Sequence, residues 1–175
     1  CRELRSKAPQ LPIIFLTADD DRENLIRAFS AGVSDYVTKP FVARELLARG
    51  ARQVYAAARD PSTVTLPGVQ ALQLDVTQPD EVAAAAQLAT DVTLVINNAG
   101  IAVRHPVGEQ DLEGLDRVLR VNIRGAFLCA KSVLPYLTRP GGAIINTASV
   151  VGVVGMRNRA AYSLSKGALI TLTKN

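Results

Sequence analysis

The sequence is poor in the residues that most often mark disulfide-bonded, metal-binding or membrane-embedded proteins. Its 175 residues include one histidine, two cysteines and no tryptophan. Cys1 and Cys129 cannot build a disulfide framework, and we expect Cys129, in the apolar helical run AFLCAKSVL, to belong to the core. No apolar run approaches the roughly 20 residues of a membrane-spanning helix, and no signal peptide is evident. We therefore expect a cytoplasmic chain with no membrane partner.

Positive charge is in excess, but it is not concentrated. The net charge is +4, with 20 Lys and Arg against 16 Asp and Glu. The basic residues are scattered and form no stripe interleaved with aromatics, which make up 5% of the chain. Scattered charge is typical of a solvated surface, so we expect no nucleic-acid partner. The length and the 48% hydrophobic content suit one globular domain over residues 1–175.

The first fifty residues alternate between short apolar runs and helical patterns. PIIFLT (Pro12–Thr17) and YVT (Tyr36–Thr38) predict two strands, and Asp19 to about Ser30 predicts a helix between them. Val42–Arg49 predicts a second helix. Gly50 follows it at the C-terminal cap, where a residue free to take positive φ is favoured.

This first part resembles the second half of a response-regulator receiver domain, over about residues 1–49. The resemblance is carried by PIIFLTA, an acidic helix start and AGVSDYVTKPF. It implies that Thr17 would sense a phosphoryl group, that Lys39 would pair with it and that Tyr36 would switch rotamer. The acidic pair and the acceptor Asp of that family belong to earlier strands that these 175 residues do not include. We therefore expect no metal site, no phosphorelay partner and idle roles for Thr17 and Lys39.

Beyond Gly50 the chain alternates strands with helices, which is the pattern of a doubly wound parallel sheet. Pro79 suits the first turn of a helix that includes EVAAAAQLA. The continuous apolar run Val92–Ile96 is typical of a strand buried on both faces. The expected strands are Gln53–Ala58, Val69–Val76, Val92–Ile96 and Ala143–Asn146, and the later helices are Leu112–Leu137 and Ala160 to about Thr173.

A series of short motifs runs through this second part in a characteristic order. They are AAARD, LDVT, NNAG, RVNIRGAF, NTASVVG and Tyr162-Ser163-Leu164-Ser165-Lys166. Tyr followed by Lys four residues later is weak alone, since any Tyr has roughly a one-in-twenty chance of it. The ordered set closely resembles the short-chain dehydrogenase/reductase family over about residues 45–175. The resemblance implies a Rossmann-type fold and NADP-dependent chemistry on a carbonyl or an alcohol.

The chemistry of the last motif follows from its spacing. Tyr162 and Lys166 are four residues apart on an expected helix, so both side chains leave the same face. A Lys ammonium near a phenol favours the phenolate, which makes Tyr162 a usable general acid/base. By resemblance, Ser149 would hydrogen-bond the substrate oxygen and Asn122 would hold a water in a proton relay with Lys166. The expected catalytic residues are Asn122, Ser149, Tyr162 and Lys166.

The resemblance also implies a nicotinamide cofactor site. Asp75 would contact the adenine, and the segment Asn98–Gly100 would pass under the adenine ribose. Arg59, just past its strand, would pair with a 2′-phosphate and favour NADP(H), with an uninvolved surface charge as the alternative. The expected cofactor-binding residues are Arg59, Asp75, Asn98, Ala99, Gly100, Tyr162 and Lys166.

Glycine is missing where that family needs it for the pyrophosphate. The family's turn, Thr-Gly-x-x-x-Gly-x-Gly, brings backbone N–H groups to the phosphates at a helix N-terminus. Here Thr38 stands at the place of that Thr, but no glycine lies between positions 32 and 50, and the tripeptide KPF replaces the cradle. Its proline donates no N–H and its phenylalanine adds bulk. The sequence also ends within the expected catalytic helix.

These losses lead to two main readings of function and a minor third. The seam between the two parts of the chain, Arg44–Asp60, begins in a helix that both families share. We therefore expect an engineered or recombinant chimera, with a receiver-like fragment (residues 1–49) and a dehydrogenase-like fragment (residues 50–175), acting as a scaffold without efficient catalysis. The alternative is a residual NADP(H)-binding carbonyl reductase or alcohol dehydrogenase using Ser149, Tyr162 and Lys166. The third is a signalling or interaction module.

We expect a three-layer α/β fold, a hybrid of Rossmann and flavodoxin-like folds, with a doubly wound parallel sheet of about six strands. Right-handed crossovers favour the strand order 4-3-2-1-5-6. Ile13–Leu16 and Val92–Ile96 both compete for the place beside Tyr36–Thr38. An exposed apolar helix pair, where the dehydrogenase family dimerises, predicts a homo-oligomer.

Overall fold

The computed structural model describes residues 14–17, 35–38, 43–48, 50–137 and 141–174. By its internal contacts the chain divides into two compact units, residues 1–54 with 66–68 and residues 55–65 with 69–175. The helix expected from Asp19 to Ser30 and the tripeptide KPF, with Lys39, lie outside the described residues. The assignment of residues 1–175 to a single domain stays a prediction.

The first unit contains a parallel pair of strands, β1 (Ile14–Thr17) and β2 (Asp35–Thr38). Ile14 lies opposite Asp35 and Thr17 lies opposite Thr38. Ile13–Leu16 and Val92–Ile96 were expected to compete for the place beside β2. The structure pairs β1, the first of these segments, with β2. Helix α1 (Ala43–Ala48) follows β2.

Helix α1 ends in a turn that only a residue tolerant of positive φ adopts easily. Gly50 has φ of +95°. Its N–H donates to the carbonyl of Leu47 over 3.0 Å, and the N–H of Ala51 donates to the carbonyl of Leu46 over 3.0 Å. This pair of bonds is a Schellman motif, which satisfies carbonyls at the end of the helix. The sequence-based assignment of Gly50 as the cap is confirmed.

The rest of the chain alternates strands and helices, as its apolar pattern predicts. The strands are β3 (Val54–Ala58), β4 (Val69–Gln73), β5 (Leu94–Asn97) and β6 (Ala143–Asn146). The helices are α2 (Pro79–Leu88), α3 (Leu112–Leu119), α4 (Ala126–Leu137), α5 (Val151–Val154) and α6 (Ala160–Leu172), with a π-helical turn, Arg120–Gly125, between α3 and α4.

The described strands are hydrogen-bonded in three pairs, β1–β2, β3–β4 and β5–β6. Each pair is a neighbouring pair in the expected order 4-3-2-1-5-6. Strands β5 and β6 run parallel, with Leu94 opposite Ala143 and Asn97 opposite Asn146. The carboxyl ends of these two strands therefore meet at one edge, which is where parallel α/β sheets place their ligands.

Several elements differ from the expectation. Strand β5 spans Leu94–Asn97 and not Val92–Ile96, and Leu94 is 40% exposed although burial on both faces was expected. Strand β4 ends at Gln73, not Val76, because the Asp75 carboxylate accepts bonds from the N–H and hydroxyl of Thr77, each over 2.8 Å, and turns the chain. The single helix expected over Leu112–Leu137 is interrupted by the π-helical turn. Helix α5, a single turn, was not anticipated.

The apolar core between β4 and α2 is built from small and medium side chains. Leu72, Ala85 and Ala89 are buried together, with Tyr55 and Val92 among the side chains packed against them. Cys129 is buried in α4, as its apolar surroundings predict, and burial raises the pKa of its thiol to about 11. In the described parts of the chain, no helix combines the length and apolarity needed to cross a membrane.

Helices α5 and α6 pack with almost no space between their backbones. A Cβ placed on Gly152 would lie 2.6 Å from both the carbonyl carbon of Lys166 and the backbone nitrogen of Gly167. Real Cβ atoms do not approach backbone atoms so closely, so glycine at position 152 is a requirement of this contact. The backbone of Lys166 is thereby held directly against α5.

We expect Gly152→Ala to push α5 away from α6 and to lower the free energy of unfolding by about 1–3 kcal/mol, which is the usual range for overpacking. Thermal denaturation followed by circular dichroism measures the change. Gly108→Ala is the matched control, because a Cβ at Gly108 meets no atom within 4 Å. Equal melting temperatures for the two variants would show that α5 moves freely, contrary to this account.

Candidate active site

Lys166 and Tyr162 lie together on α6, as their spacing predicts. The Lys166 side chain is 3% exposed, and its Nζ lies 5.6 Å from the centroid of the Tyr162 ring. The Nζ donates a hydrogen bond of 2.5 Å to the backbone carbonyl of Thr147, just beyond β6. A buried ammonium needs such acceptors, because burial without them costs far more than a hydrogen bond returns. The cation is therefore fixed beside the phenol.

Asn122 lies on the π-helical turn and is fully buried, with 0% of its surface exposed. Its Oδ1 accepts from the N–H of Ile101 over 2.8 Å, and its Nδ2 donates to the carbonyl of the same residue over 2.9 Å. The second Nδ2 hydrogen goes to Ser165 Oγ over 2.9 Å. One side chain thus connects the loop after β5, the turn between α3 and α4, and helix α6.

The π-helical turn depends on close packing by Gly125. A Cβ on Gly125 would lie 2.8 Å from Cγ2 of Val76. Single π-helical turns within longer helices are rare and occur frequently at functional sites. Here the turn carries the Asn122 side chain to the edge of the β5–β6 pair.

The ends of β5 and β6 are tied by polar contacts. The Asn97 Nδ2 donates to the Asn146 Oδ1 over 2.9 Å, and the backbone N–H of Thr147 donates to the carbonyl of Asn97 over 3.0 Å. The Thr147 hydroxyl then donates to the Asn98 Oδ1 over 3.2 Å. Ser149 follows as a half-buried residue, and its carbonyl accepts from the N–H of Gly152 at the start of α5.

The NNAG segment passes directly over the buried residues. Asn98, Ala99 and Gly100 are exposed. A Cβ on Gly100 would lie 3.4 Å from the Oδ1 of Asn122 and 3.6 Å from the Nζ of Lys166. Open backbone at the carboxyl end of a parallel strand, with a cation behind it, fits the approach of a nucleotide ribose.

A second group of expected cofactor residues lies at the ends of β3 and β4. Arg59 is exposed beside a cavity of about 520 Å³, which is lined by Ala58, Arg59, Asp60 and Thr63. The Asp75 pKa is lowered, chiefly by the two hydrogen bonds from Thr77 and also by the charge of Arg59. A carboxylate at Asp75 and a guanidinium at Arg59 suit recognition of an adenosine ribose and its phosphate.

The structure therefore brings Asn122, Tyr162 and Lys166 into one cluster with Gly100, while Arg59 and Asp75 form another. Sequence reasoning assigned no role to Thr147 or Ser165, although both stand inside quoted motifs. Only their contacts with Lys166 and Asn122 reveal them. Among the described residues, no group of three or more His, Cys, Asp or Glu side chains is arranged to hold a metal ion.

Comparison with protein families agrees with the second part of the sequence. The model described as "short chain dehydrogenase" matches residues 40–175, and the chain belongs to this family. The model of the "response regulator receiver domain" matches residues 1–50. The two matches overlap at residues 40–50, where the expected seam begins.

Individual relatives share both sequence and fold. The chain is 36% identical over 107 residues to trans-4-hydroxycyclohexanecarboxylate dehydrogenase of Sinomonas cyclohexanicum, which covers 59% of this chain and 41% of that protein. It is 34% identical over 142 residues to meso-2,3-butanediol dehydrogenase of Serratia marcescens, covering 75% of this chain and 57% of that one. The chain thus spans about two fifths to three fifths of these relatives' length.

A solved structure confirms the Rossmann-like α/β fold. A short-chain dehydrogenase from Burkholderia cenocepacia J2315, in complex with NADP, superposes with a TM-score of 0.70 at 32% identity. The match covers 93% of this chain and 64% of that one.

These findings correct the main functional expectation. An engineered or recombinant scaffold without efficient catalysis is contradicted by the family match over residues 40–175 and by relatives that are named dehydrogenases. The scaffold hypothesis relied on the missing glycines as evidence against catalysis. The ordered set of dehydrogenase motifs was the better indicator. The alternative, an oxidoreductase of this family, fits better.

Proposed function

We propose that the chain is an NADP(H)-dependent oxidoreductase that interconverts a carbonyl and an alcohol. The observation that carries the proposal is the nearly fully buried Lys166 ammonium, which is held beside the Tyr162 ring by the Thr147 carbonyl. A buried cation at this position can stabilise the negative charge that develops when the phenol gives up its proton to a substrate. The dehydrogenase relatives and the NADP complex of a similar structure support the same reaction class.

The cofactor would be held along the carboxyl ends of the strands. Arg59 and Asp75 would bind the adenosine end, and Asn98, Ala99 and Gly100 would line the path towards Tyr162 and Lys166. A bound nicotinamide cofactor supplies or takes up the hydride. Gly100 packs against Lys166 on one side and is exposed on the other. The exposed side of the loop backbone is therefore accessible to a cofactor, which supports this path.

The protein's own part in the reaction is to move a proton and to orient the substrate. In the direction of reduction, Tyr162 would donate its phenolic proton to the substrate oxygen, and the Lys166 ammonium would stabilise the phenolate that remains. Ser149 would donate a hydrogen bond to the same oxygen. The Asn122 Oδ1 accepts one bond, from Ile101, and through its second lone pair it would order a water beside Lys166, so that the proton is replaced from solvent.

We expect Tyr162→Phe to lower kcat for reduction of ketones with NADPH by about 10²- to 10⁴-fold, the usual contribution of a general acid. A panel of secondary ketones, followed by NADPH absorbance, provides the assay. Tyr136→Phe, on α4, is the matched control and should retain activity. A Tyr162→Phe enzyme as active as the Tyr136→Phe enzyme would rule out the assigned acid.

The cofactor preference gives a second test. We expect Arg59→Ala to weaken NADPH binding by about tenfold or more, since a charge-assisted bond to the 2′-phosphate is lost, and to leave NADH binding within about twofold. Nicotinamide fluorescence titration measures both constants. An equal loss for NADPH and NADH would mean that Arg59 does not contact the 2′-phosphate.

We propose also that the chain is a homo-oligomer, as the sequence predicts. Phe127 and Leu134 are seven residues apart on α4 and are 52% and 54% exposed, which supports an apolar contact surface on this helix. Sedimentation velocity at several protein concentrations tests the proposal, and a monomer at every concentration would refute it.

A further inference from the structure

Two serines, Ser163 and Ser165, lie between Tyr162 and Lys166 on α6, and their hydroxyls differ in hydrogen bonding. Ser165 is fully buried, with 0% exposed, and its hydroxyl donates to the Tyr162 carbonyl over 2.7 Å while accepting from Asn122 Nδ2 over 2.9 Å. The Ser163 Oγ is also buried, but it has no hydrogen-bond partner among the described residues. Burial alone therefore does not explain the contacts of Ser165.

The direction of each bond in this cluster is fixed by the bonds around it. Ile101 presents both an N–H and a carbonyl to Asn122, so the amide cannot turn over without losing both bonds. The remaining Nδ2 hydrogen needs an acceptor. Ser165 has given its single hydrogen to Tyr162, so its oxygen is free to accept it. The hydroxyl is the connection between the amide and the Tyr162 carbonyl.

The bond between Asn122 and Ser165 joins residues that are far apart in the sequence, unlike the common local bond of a helical serine. A helical serine often donates to a carbonyl three or four residues earlier without tertiary consequence. The bond from Asn122, however, spans 43 residues and joins the π-helical turn to α6. The same amide presents its oxygen to Gly100, where the Lys166 Nζ also lies.

We infer that Ser165 is a positioning residue for the reaction proposed above. Its hydroxyl sets the distance between the Asn122 amide and the helical turn that carries Tyr162 and Lys166. Without it, one N–H of a fully buried amide loses its acceptor, and the amide or α6 shifts to find another. Such a shift displaces the Tyr162 phenol from the substrate oxygen and leaves the adenosine end of the cofactor site unaffected. The expected loss of kcat rests on the proposed function, whereas the expected shift of the Asn122 amide or of α6 does not.

The test compares Ser165→Ala with Ser163→Ala, which remove the same atom two residues apart. In the Ser165→Ala protein we expect kcat for ketone reduction to fall by about tenfold to hundredfold, with the KM for NADPH within about twofold of the parent. Ser163→Ala should leave both constants within about twofold. In parallel, protein labelled with ¹³C at tyrosine Cζ reports the Tyr162 phenol directly, and Tyr162→Phe assigns its resonance among the four tyrosines.

A fall in kcat and a displaced Tyr162 resonance for Ser165→Ala, with neither change for Ser163→Ala, supports the inference. A lower melting temperature for Ser165→Ala with unchanged kcat and resonance overturns it, as do equal effects of the two substitutions. If the parent protein reduces no ketone, the proposed function fails, and the Tyr162 resonance alone decides the role of Ser165. If Ser165→Ala does not fold, Ser165→Cys replaces it in the same comparison, because a thiol leaves no cavity and weakens the hydrogen bonds.

Discussion

The buried amide of Asn122 is the contact on which the arrangement of this site depends. Both of its N–H hydrogens and its oxygen are engaged, and its partners lie in the loop after β5 and on α6. Leaving one buried polar group without a partner costs about 1–3 kcal/mol, so the three bonds reinforce one another. Apolar packing can slide by a fraction of an ångström, whereas this network has one arrangement. The π-helical turn places the amide within reach of both partners.

Three glycines allow the close packing around this amide and around Lys166. Gly125 lets the π-helical turn approach Val76, and Gly152 lets α5 approach the backbone of Lys166. Gly100 brings the loop after β5 against the same lysine. Small residues at these three positions therefore set the distances between the elements that carry Asn122 and Lys166.

Much of the architecture could be predicted because it depends on local patterns. The alternation of strands and helices, the cap at Gly50 and the common face of Tyr162 and Lys166 follow from spacing and residue type. The π-helical turn and the contacts of Thr147 and Ser165 could not be predicted, because tertiary hydrogen bonds decide them. Helix α5 was missed because its four residues are too few to show a helical period. The competition for the place beside Tyr36–Thr38 was also beyond local reasoning. Both candidate segments are apolar and β-forming, and the structure pairs Ile14–Thr17 there.

The burial of Lys166 also argues against the reading of this chain as a scaffold. Taking an ammonium out of water is costly, and exchanging buried charges for apolar groups of similar volume is often neutral or stabilising. A fold without chemistry gains nothing from a lysine that is 3% exposed and held by the Thr147 carbonyl. A leucine or methionine would fill the same space with less desolvation. The lysine is understandable as a group whose charge acts on a neighbour, and the Tyr162 ring, with its centroid 5.6 Å from the Nζ, is one such neighbour.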